Sequence, residues 1–288
     1  MDMAPPNAVD GSFWLAIREE LRDAHTQIFS DLSESSIPNE VTHFTSVTGL
    51  DGIISRREIW CTDLRQVSDS RECDYGLDVI RHVIRKKSVP SEFIGYVLRM
   101  HDLFGAKVRW TYYISCFCSA RKDEPRMWED YAGGGRGCAI VFDSARLLAG
   151  SDGGKSYAFT PVIYSEQIQI ERATAIVDHA IGLQRRHELP SRAKTRYWFW
   201  EVAYSLMVCG LLFKAPSLQH EQEVRLGLAE HDSLQTFVYD QKTRVAVPFE
   251  RAAVMRIVRG PNAGPDNTVE RIRGMLNGAG YSEQLPVS

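Results

Sequence analysis

Two short segments of the chain combine residue types that do chemistry in enzymes. The first runs Thr42-His43-Phe44-Thr45-Ser46 and places an imidazole among hydroxyl groups. It ends a short strand and precedes a helix over 47–56, and junctions of this kind often carry functional side chains. The segment is therefore equally consistent with a ligand contact at His43 and with a histidine packed into the core.

The second segment is His220-Glu221-Gln222-Glu223-Val224-Arg225-Leu226. In a strand, Glu221, Glu223 and Arg225 share one face. Two carboxylates on one face repel each other unless a cation or ligand pairs with them, and Arg225 is a suitable cation. The functional interpretation is a carboxylate that stabilises positive charge or accepts a proton. The alternative is an exposed edge with a ladder of salt bridges.

A third segment joins aromatic residues to a run of glycines, from Trp128 to Gly137. Trp128 and Tyr131 are three residues apart and share a helix face, where they either stack on a ring ligand or pack against the core. The glycine run lacks the Lys-Ser or Lys-Thr that follows in a phosphate-binding loop, so a turn is the simpler interpretation.

The remaining pattern predicts the elements that hold these segments. Strands are predicted at 41–44, 59–62, 110–118, 138–143, 158–165, 223–229, 235–239, 244–247 and 254–261. Helices are predicted at 11–32, 47–56, 76–104, 167–187, 193–213 and 266–279, the last capped by Asp266 or Asn267. Because strands and helices do not alternate regularly, a doubly wound sheet is excluded and an α+β fold with a mixed, mostly antiparallel sheet is predicted. We expect an N-terminal helix and linker at 1–40 and a single α+β domain at 41–288.

Composition limits the classes of protein further. The 288 residues are 44% hydrophobic with a formal net charge of -3, so no global basic field attracts nucleic acid or anionic membrane. A local basic patch at 81–87 is more simply a solvated helix face. The six cysteines form no CxxC pair, and we expect reduced thiols, no metal site and a cytoplasmic location. The apolar stretch 197–213 contains Glu201 and is short for a membrane span, so a buried helix is predicted.

The motifs resemble, in their order, a bacterial family known as domain of unknown function twenty-nine seventy-one. That family shows His-Tyr-Thr-Ser, a Trp and Tyr pair followed by glycine, and Glu-x-Glu-x-Arg, ending in an Ile-Gly-Pro segment. The corresponding residues here begin at His43, Trp128 and Glu221, and the closing segment is 257–261. The resemblance extends from about residue 41 to the C-terminus.

The opening motif also resembles that of ADP-ribosyltransferases of the diphtheria-toxin and poly-ADP-ribose-polymerase type, with Phe44 where those enzymes have glycine. This resemblance implies an ADP-ribosyltransferase-like split sheet with helical insertions, and NAD as the substrate. It implies that His43 contacts the adenosine-side ribose and that Glu223, with Glu221 as second choice, stabilises the oxocarbenium-like state. The residues expected to contact NAD are His43, Phe44, Thr45, Ser46, Trp60, Trp128, Tyr131 and Arg225.

The resemblance therefore implies transfer of ADP-ribose to a macromolecular acceptor, a protein or a nucleic acid, by a bacterial defence or toxin effector with a regulatory partner protein. Two alternatives remain open. In the first alternative, the chain is a catalytically inactive binding or sensor module of the same fold. In the second, it is a metal-dependent hydrolase or nuclease that uses Glu221, Glu223 and Asp69.

Overall fold

The chain, seen in a computed structural model, divides into two compact units, each assembled from separate stretches of sequence. We name residues 1–33, 68–108 and 163–216 the helical unit, and residues 34–67, 109–162 and 217–288 the sheet unit. The structure describes residues 11–32, 36–67, 71–87, 112–119, 124–149, 157–186, 202, 205–229, 234–265 and 268–288.

Helices and strands are labelled in chain order. The helices are α1 (Gly11–Ile28), α2 (Val47–Arg56), α3 (Arg71–Lys86), α4 (Pro125–Tyr131), α5 (Ser144–Ala149), α6 (Glu166–Arg186) and α7 (Val269–Gly278). The strands are β1 (Glu40–Thr45), β2 (Glu58–Asp63), β3 (Tyr112–Ser119), β4 (Cys138–Asp143), β5 (Tyr157–Pro161), β6 (Glu223–Ala229), β7 (Phe237–Tyr239), β8 (Lys242–Pro248) and β9 (Val254–Arg259).

The helical unit is organised by α1, α3 and α6, which are amphipathic. Each helix buries one apolar stripe at helical spacing, as predicted from the recurrence of apolar residues every three or four positions. The shared core includes Ile17, Leu21, Ile80, Ile84, Ile176, Val177, Leu206 and Phe213. Ion pairs at its surface join α1 to α6, including the pair between Arg186 and Glu20.

Among its described residues the sheet unit contains nine strands, and all of their ladders are antiparallel. Most follow the order β7-β8-β2-β3-β1-β4-β9, while β6 pairs with β3 and β5. The mixed α+β class with a mostly antiparallel sheet is thus confirmed. An ADP-ribosyltransferase-like arrangement stays a prediction, and so does the proposed domain boundary at residue 40.

The sheet splits along one edge of β3, and we call this split the fork. On that edge, β1 pairs only with Cys118 and Ser119. Farther along, β2 pairs only with Tyr113 and Ile114. Within the described part of the chain, residues 115–117 therefore have no strand partner on this edge. The fork is thus a gap in strand pairing between β1 and β2.

Strand register decides which side chains share a face, because directly opposed residues of antiparallel strands project to the same side. The core face carries a large apolar cluster that includes Val41, Phe117, Ile140, Phe142, Leu226 and Val245. Helices α2, α5 and α7 cover it through Leu50, Ile54, Leu147, Ile272 and Leu276. The opposite side, which we call the polar face, carries Thr42, Cys116, Cys118, Glu223, Arg225 and Arg244.

Several predicted boundaries are close to the observed ones, and some are wrong. The helix expected at 47–56 and the strand at 138–143 have those bounds, whereas the strand expected at 158–165 ends at Pro161. The expected cap of the last helix is wrong, because Thr268 caps α7 by accepting a hydrogen bond from the Arg271 amide. Of the predicted helix over 193–213, the structure describes residues 202 and 205–213, and residues 205–210 are helical. No helix among the described residues is long and apolar enough to span a membrane.

Candidate functional site

His43 lies at the fork, where its side chain supplies a hydrogen bond that strand pairing does not. Its Nδ1–H donates to the carbonyl oxygen of Cys116 at 3.0 Å, a position that a continuous strand would otherwise fill. The ring also packs on Phe117, with centroids 5.4 Å apart. Burial lowers the pKa of His43, partly offset by the bond to the Cys116 carbonyl, so the ring is neutral at pH 7. In this tautomer Nε2 is an acceptor.

The residues that follow His43 have defined structural roles. Ser46 caps α2, because its Oγ accepts from the Gly49 amide at 3.0 Å. The Thr45 hydroxyl lies over the first turn of α2, where a Cβ on Gly49 would be 2.1 Å from its Oγ1. Phe44 is buried on the polar face and meets the Trp128 ring edge-on at 4.9 Å. Of the two hydroxyls expected to contact NAD, that of Ser46 is therefore used as a helix cap, and that of Thr45 lies close to the same turn of α2.

Glu223 and Arg225 form a buried ion pair on β6. The Arg225 Nε donates to Glu223 Oε1 at 2.6 Å, and the side chains are only 5% and 3% exposed. They share the polar face, as alternate residues of one strand must. This contact is consistent with the prediction that Arg225 is the cation that pairs with a carboxylate of this segment. Such a pair holds Glu223 ionised and in a fixed orientation.

Glu221 is not on the same strand, and the prediction that it shares a strand face with Glu223 is wrong. Residues 216–221 form a short 3-10 helix, and Gln222 has a φ of 41°, which turns the chain before β6 begins. Tyr131 donates its hydroxyl hydrogen to Glu221 Oε1 at 3.1 Å. Glu221 is 5% exposed, whereas Tyr131 is 44% exposed. The second carboxylate is thus oriented by α4 rather than by the sheet.

His43 and Glu223 project from opposite faces of the sheet. Thr42 is paired with Cys118, and Cys118 is paired with Glu223, so these side chains share the polar face. His43 is the next residue after Thr42 and projects to the core face. The structure therefore does not bring the two side chains together on one face.

The predicted aromatic contacts fall in two separate places. Trp128 is buried with Phe44 and Met127 where α4 packs on the polar face. Trp60 lies on β2, and its Nε1–H donates to Glu58 at 3.3 Å. Trp60 is therefore part of a different aromatic cluster, near β7 and β8.

Two side chains near the fork were not among the predicted site residues. Cys116 is exposed on the polar face and is paired with Arg225 across the ladder. Thr42 is buried, and its Oγ1 has no hydrogen-bond partner among the described residues. The alternation of β3 predicts that Cys116 and Cys118 share a face, but only the register places them beside Arg225 and Glu223. Among the described residues no group of three metal-ligating side chains occurs, and Asp69 lies outside them.

The glycine run after α4 is an ordered turn. Gly133, Gly134 and Gly135 all have positive φ, which favours glycine. The amides of Gly134 and Gly135 donate to carbonyl oxygens of α4, at Glu129 and Trp128. These amides are therefore engaged within the fold rather than arranged around an anion.

Comparison with known proteins identifies a family but no activity. Residues 127–226 match the family model described as "Protein of unknown function (DUF2971)". The match confirms the family resemblance that the sequence motifs predict. It includes Trp128, Tyr131, Glu221, Glu223 and Arg225, and it does not include His43. No curated protein and no solved structure matches the chain.

Proposed function

We propose that the protein is an ADP-ribosyltransferase that binds NAD at the fork and transfers ADP-ribose to a macromolecular acceptor. The observation that supports this is the fork itself, because β1 and β2 diverge there around His43. Glu223 lies on the next strand, across β3 from Thr42. In this proposal an elongated dinucleotide contacts His43 on one side of β3, and on the other side the carboxylates of β6 and of the 3-10 helix that precedes it.

Each residue of the proposed site suits one step. The neutral His43 ring accepts a ribose hydroxyl hydrogen through Nε2, because Nδ1–H is used at Cys116. The ionised Glu223 carboxylate stabilises the positive charge that develops on the nicotinamide ribose as its glycosidic bond breaks. The bonding electrons leave with nicotinamide, and the acceptor nucleophile forms the new bond to the ribose carbon and releases its proton. Glu221, oriented by Tyr131, serves as the base for that proton.

The experiment incubates the full chain with NAD labelled in its adenylate group, with and without cell lysate, and measures nicotinamide release and label transfer. We expect both activities, with Glu223→Gln reducing them about a hundredfold or more, as loss of a charge-stabilising group does. The matched control is Glu58→Gln, which changes a carboxylate of the sheet unit outside the proposed site and should leave the rate unchanged. Chelation of divalent metals should have no effect.

Two outcomes contradict the proposal. The first is that the intact chain releases no nicotinamide and transfers no label, and that Glu223→Gln gives the same result. The second is metal-dependent cleavage of nucleic acid without NAD, which would support a hydrolase instead. A thermal melt of each variant separates loss of chemistry from loss of fold, because Glu223→Gln leaves Arg225 without its buried counter-charge.

One observation favours a second candidate, a binding or sensor module without catalysis. His43 and Glu223 project from opposite faces, and Arg225 already neutralises Glu223. Such a module binds NAD or ADP-ribose at the fork and leaves both intact. Equilibrium dialysis with each ligand tests this, and binding that His43→Ala weakens, without nicotinamide release, would support the module over the enzyme.

A further inference from the structure

An aromatic and cationic surface lies on the polar face, where β2, β8 and β7 run side by side. Trp60 stands at its centre, with the rings of Phe237 and Tyr239 each 5.0 Å away between centroids. The guanidinium carbon of Arg56 lies 5.2 Å from the Trp60 centroid, and that of Arg244 lies 5.4 Å away. We call these five residues the edge platform.

Register explains why these residues share one surface. Arg244 is paired with both Thr62 and Phe237, so β2, β8 and β7 present their aromatic and cationic residues on the polar face. The hydrogen bond from Trp60 to Glu58 fixes the indole, and the other rings pack around it. Tyr239 is 55% exposed, which leaves a large aromatic side chain open at the edge of the sheet.

The cations of this region are not neutralised by carboxylates. Within the part of the chain that the structure describes, Arg56, Lys242 and Arg244 form no ion pair, and Arg244 Nε is a buried donor without an acceptor. Lys242 is paired with Tyr239 across the ladder, so its ammonium group extends the positive surface to the exposed ring. Against these three cations there are two nearby carboxylates, Glu58, which accepts from Trp60, and Asp240 in the β7–β8 turn, so the region has an excess of positive charge. The local charge is thus opposite in sign to the net charge of the whole chain.

We propose that the edge platform binds single-stranded nucleic acid. Exposed aromatic rings accept unpaired bases by stacking, and neighbouring arginine and lysine side chains contact the phosphates. Unneutralised cations distinguish this surface from an interface that takes an apolar or basic protein segment. A single strand is favoured over a duplex because a base stacks on Tyr239 only when its face is free. This inference is independent of the proposed reaction with NAD.

The test measures fluorescence anisotropy of a labelled mixed-sequence oligonucleotide of about 12 nucleotides, a length typical of such sites, with the intact chain and no NAD. We expect the single strand to bind more tightly than a hairpin duplex of the same length. Tyr239→Ala should raise the Kd about tenfold, the effect of losing one stacked base. Arg244→Gln should lower the slope of log K against log salt by about 0.7, the loss of one phosphate contact on a single strand. Lys242→Gln, at the exposed hairpin, repeats this test with less risk to folding.

The matched control is Arg85→Gln in α3, which removes a cation from the most basic run of the sequence but not from the edge platform. It should leave the Kd unchanged. Three results would overturn the proposal: no binding up to about 100 µM protein, equal affinity for the duplex, or equal loss of affinity in Arg85→Gln and Tyr239→Ala. Because this assay contains no NAD, a lack of oligonucleotide binding would not contradict the proposed transferase activity. A lack of transferase activity would likewise not contradict oligonucleotide binding at the edge platform.

Discussion

Replacing Arg225 with methionine should destabilise the sheet unit far more than loss of one salt bridge at the surface. The Arg225 and Glu223 side chains are 5% and 3% exposed, so Arg225→Met leaves a carboxylate buried without its counter-ion. Removing one partner of a buried pair costs about 3–5 kcal/mol of unfolding free energy. Replacing both, as Glu223→Leu with Arg225→Met, removes the uncompensated charge and should recover most of that loss.

The assay is urea unfolding followed by tryptophan fluorescence, with thermal melts as a second readout. At about 2–4 °C per kcal/mol for a domain of this size, Arg225→Met should lower the Tm by about 6–20 °C. The control is Arg146→Met. Arg146 is 59% exposed and lies 3.6 Å from Asp143, and an exposed pair of this kind contributes less than about 1 kcal/mol.

The double-mutant cycle decides whether the reasoning holds. If Arg225→Met lowers the free energy of unfolding no more than Arg146→Met does, Arg225 and Glu223 do not form a buried ion pair. The proposed role of Glu223 as a fixed, charged carboxylate would then have no support. If the double variant is as unstable as the sum of the two single variants, the side chains are not coupled and the contact of 2.6 Å has no energetic consequence.

Other measurements test separate parts of the structure. Gly137→Ala should lower the free energy of unfolding by more than about 1 kcal/mol, because the added methyl group would be 2.2 Å from a backbone carbonyl. Gly274→Ala, which lies within α7 and has open space around it, should raise the free energy of unfolding by about 0.5–1 kcal/mol, and urea unfolding compares the two variants. His43→Ala should cost about 1–3 kcal/mol by removing the hydrogen bond that the ring donates to the Cys116 carbonyl, and His43→Gln, which retains a donor, should recover part of this. Burial lowers the pKa of His25 from 6.5 to about 4, so its contribution is complete above about pH 6.5 and is lost as the pH falls toward 4. We expect His25 to contribute a loss of about 3 kcal/mol in unfolding titrations, and His25→Leu should remove this part of the pH dependence while the part due to His43 remains; an unchanged profile would refute the assignment.

Local pattern predicts the elements of this chain well where the periodicity is long. The helix expected at 167–187 is observed as Glu166–Arg186, and the apolar run at 138–143 is a fully paired strand. Prediction failed at short-range geometry. Glu221 was expected on the strand with Glu223, but the left-handed backbone at Gln222 separates them. A single positive φ at a residue other than glycine has no reliable sequence signal.

In the candidate site, too, the features that depend on local sequence were predicted and those that depend on distant segments were not. The residue types of the Thr42–Ser46 segment and of 221–225 indicate polar chemistry, and the pairing of Glu223 with Arg225 follows from alternation within one strand. The capping role of Ser46 is also local, because it depends only on the residues that follow it. The edge platform was not predicted, since its residues come from two segments, 56–60 and 237–244, that are distant in sequence.

The side-chain pattern of the sequence was enough to predict the α+β class, the family resemblance and the shared strand face of Glu223 and Arg225. The assembled sheet shows what the pattern did not: β1 and β2 part along one edge of β3, the His43 ring bonds into the gap, and His43 and Glu223 project from opposite faces. Register explains the difference. Local side-chain pattern sets the faces within a strand, but a shift of one residue between strands moves every side chain to the other face, and only packing of the whole sheet specifies that shift.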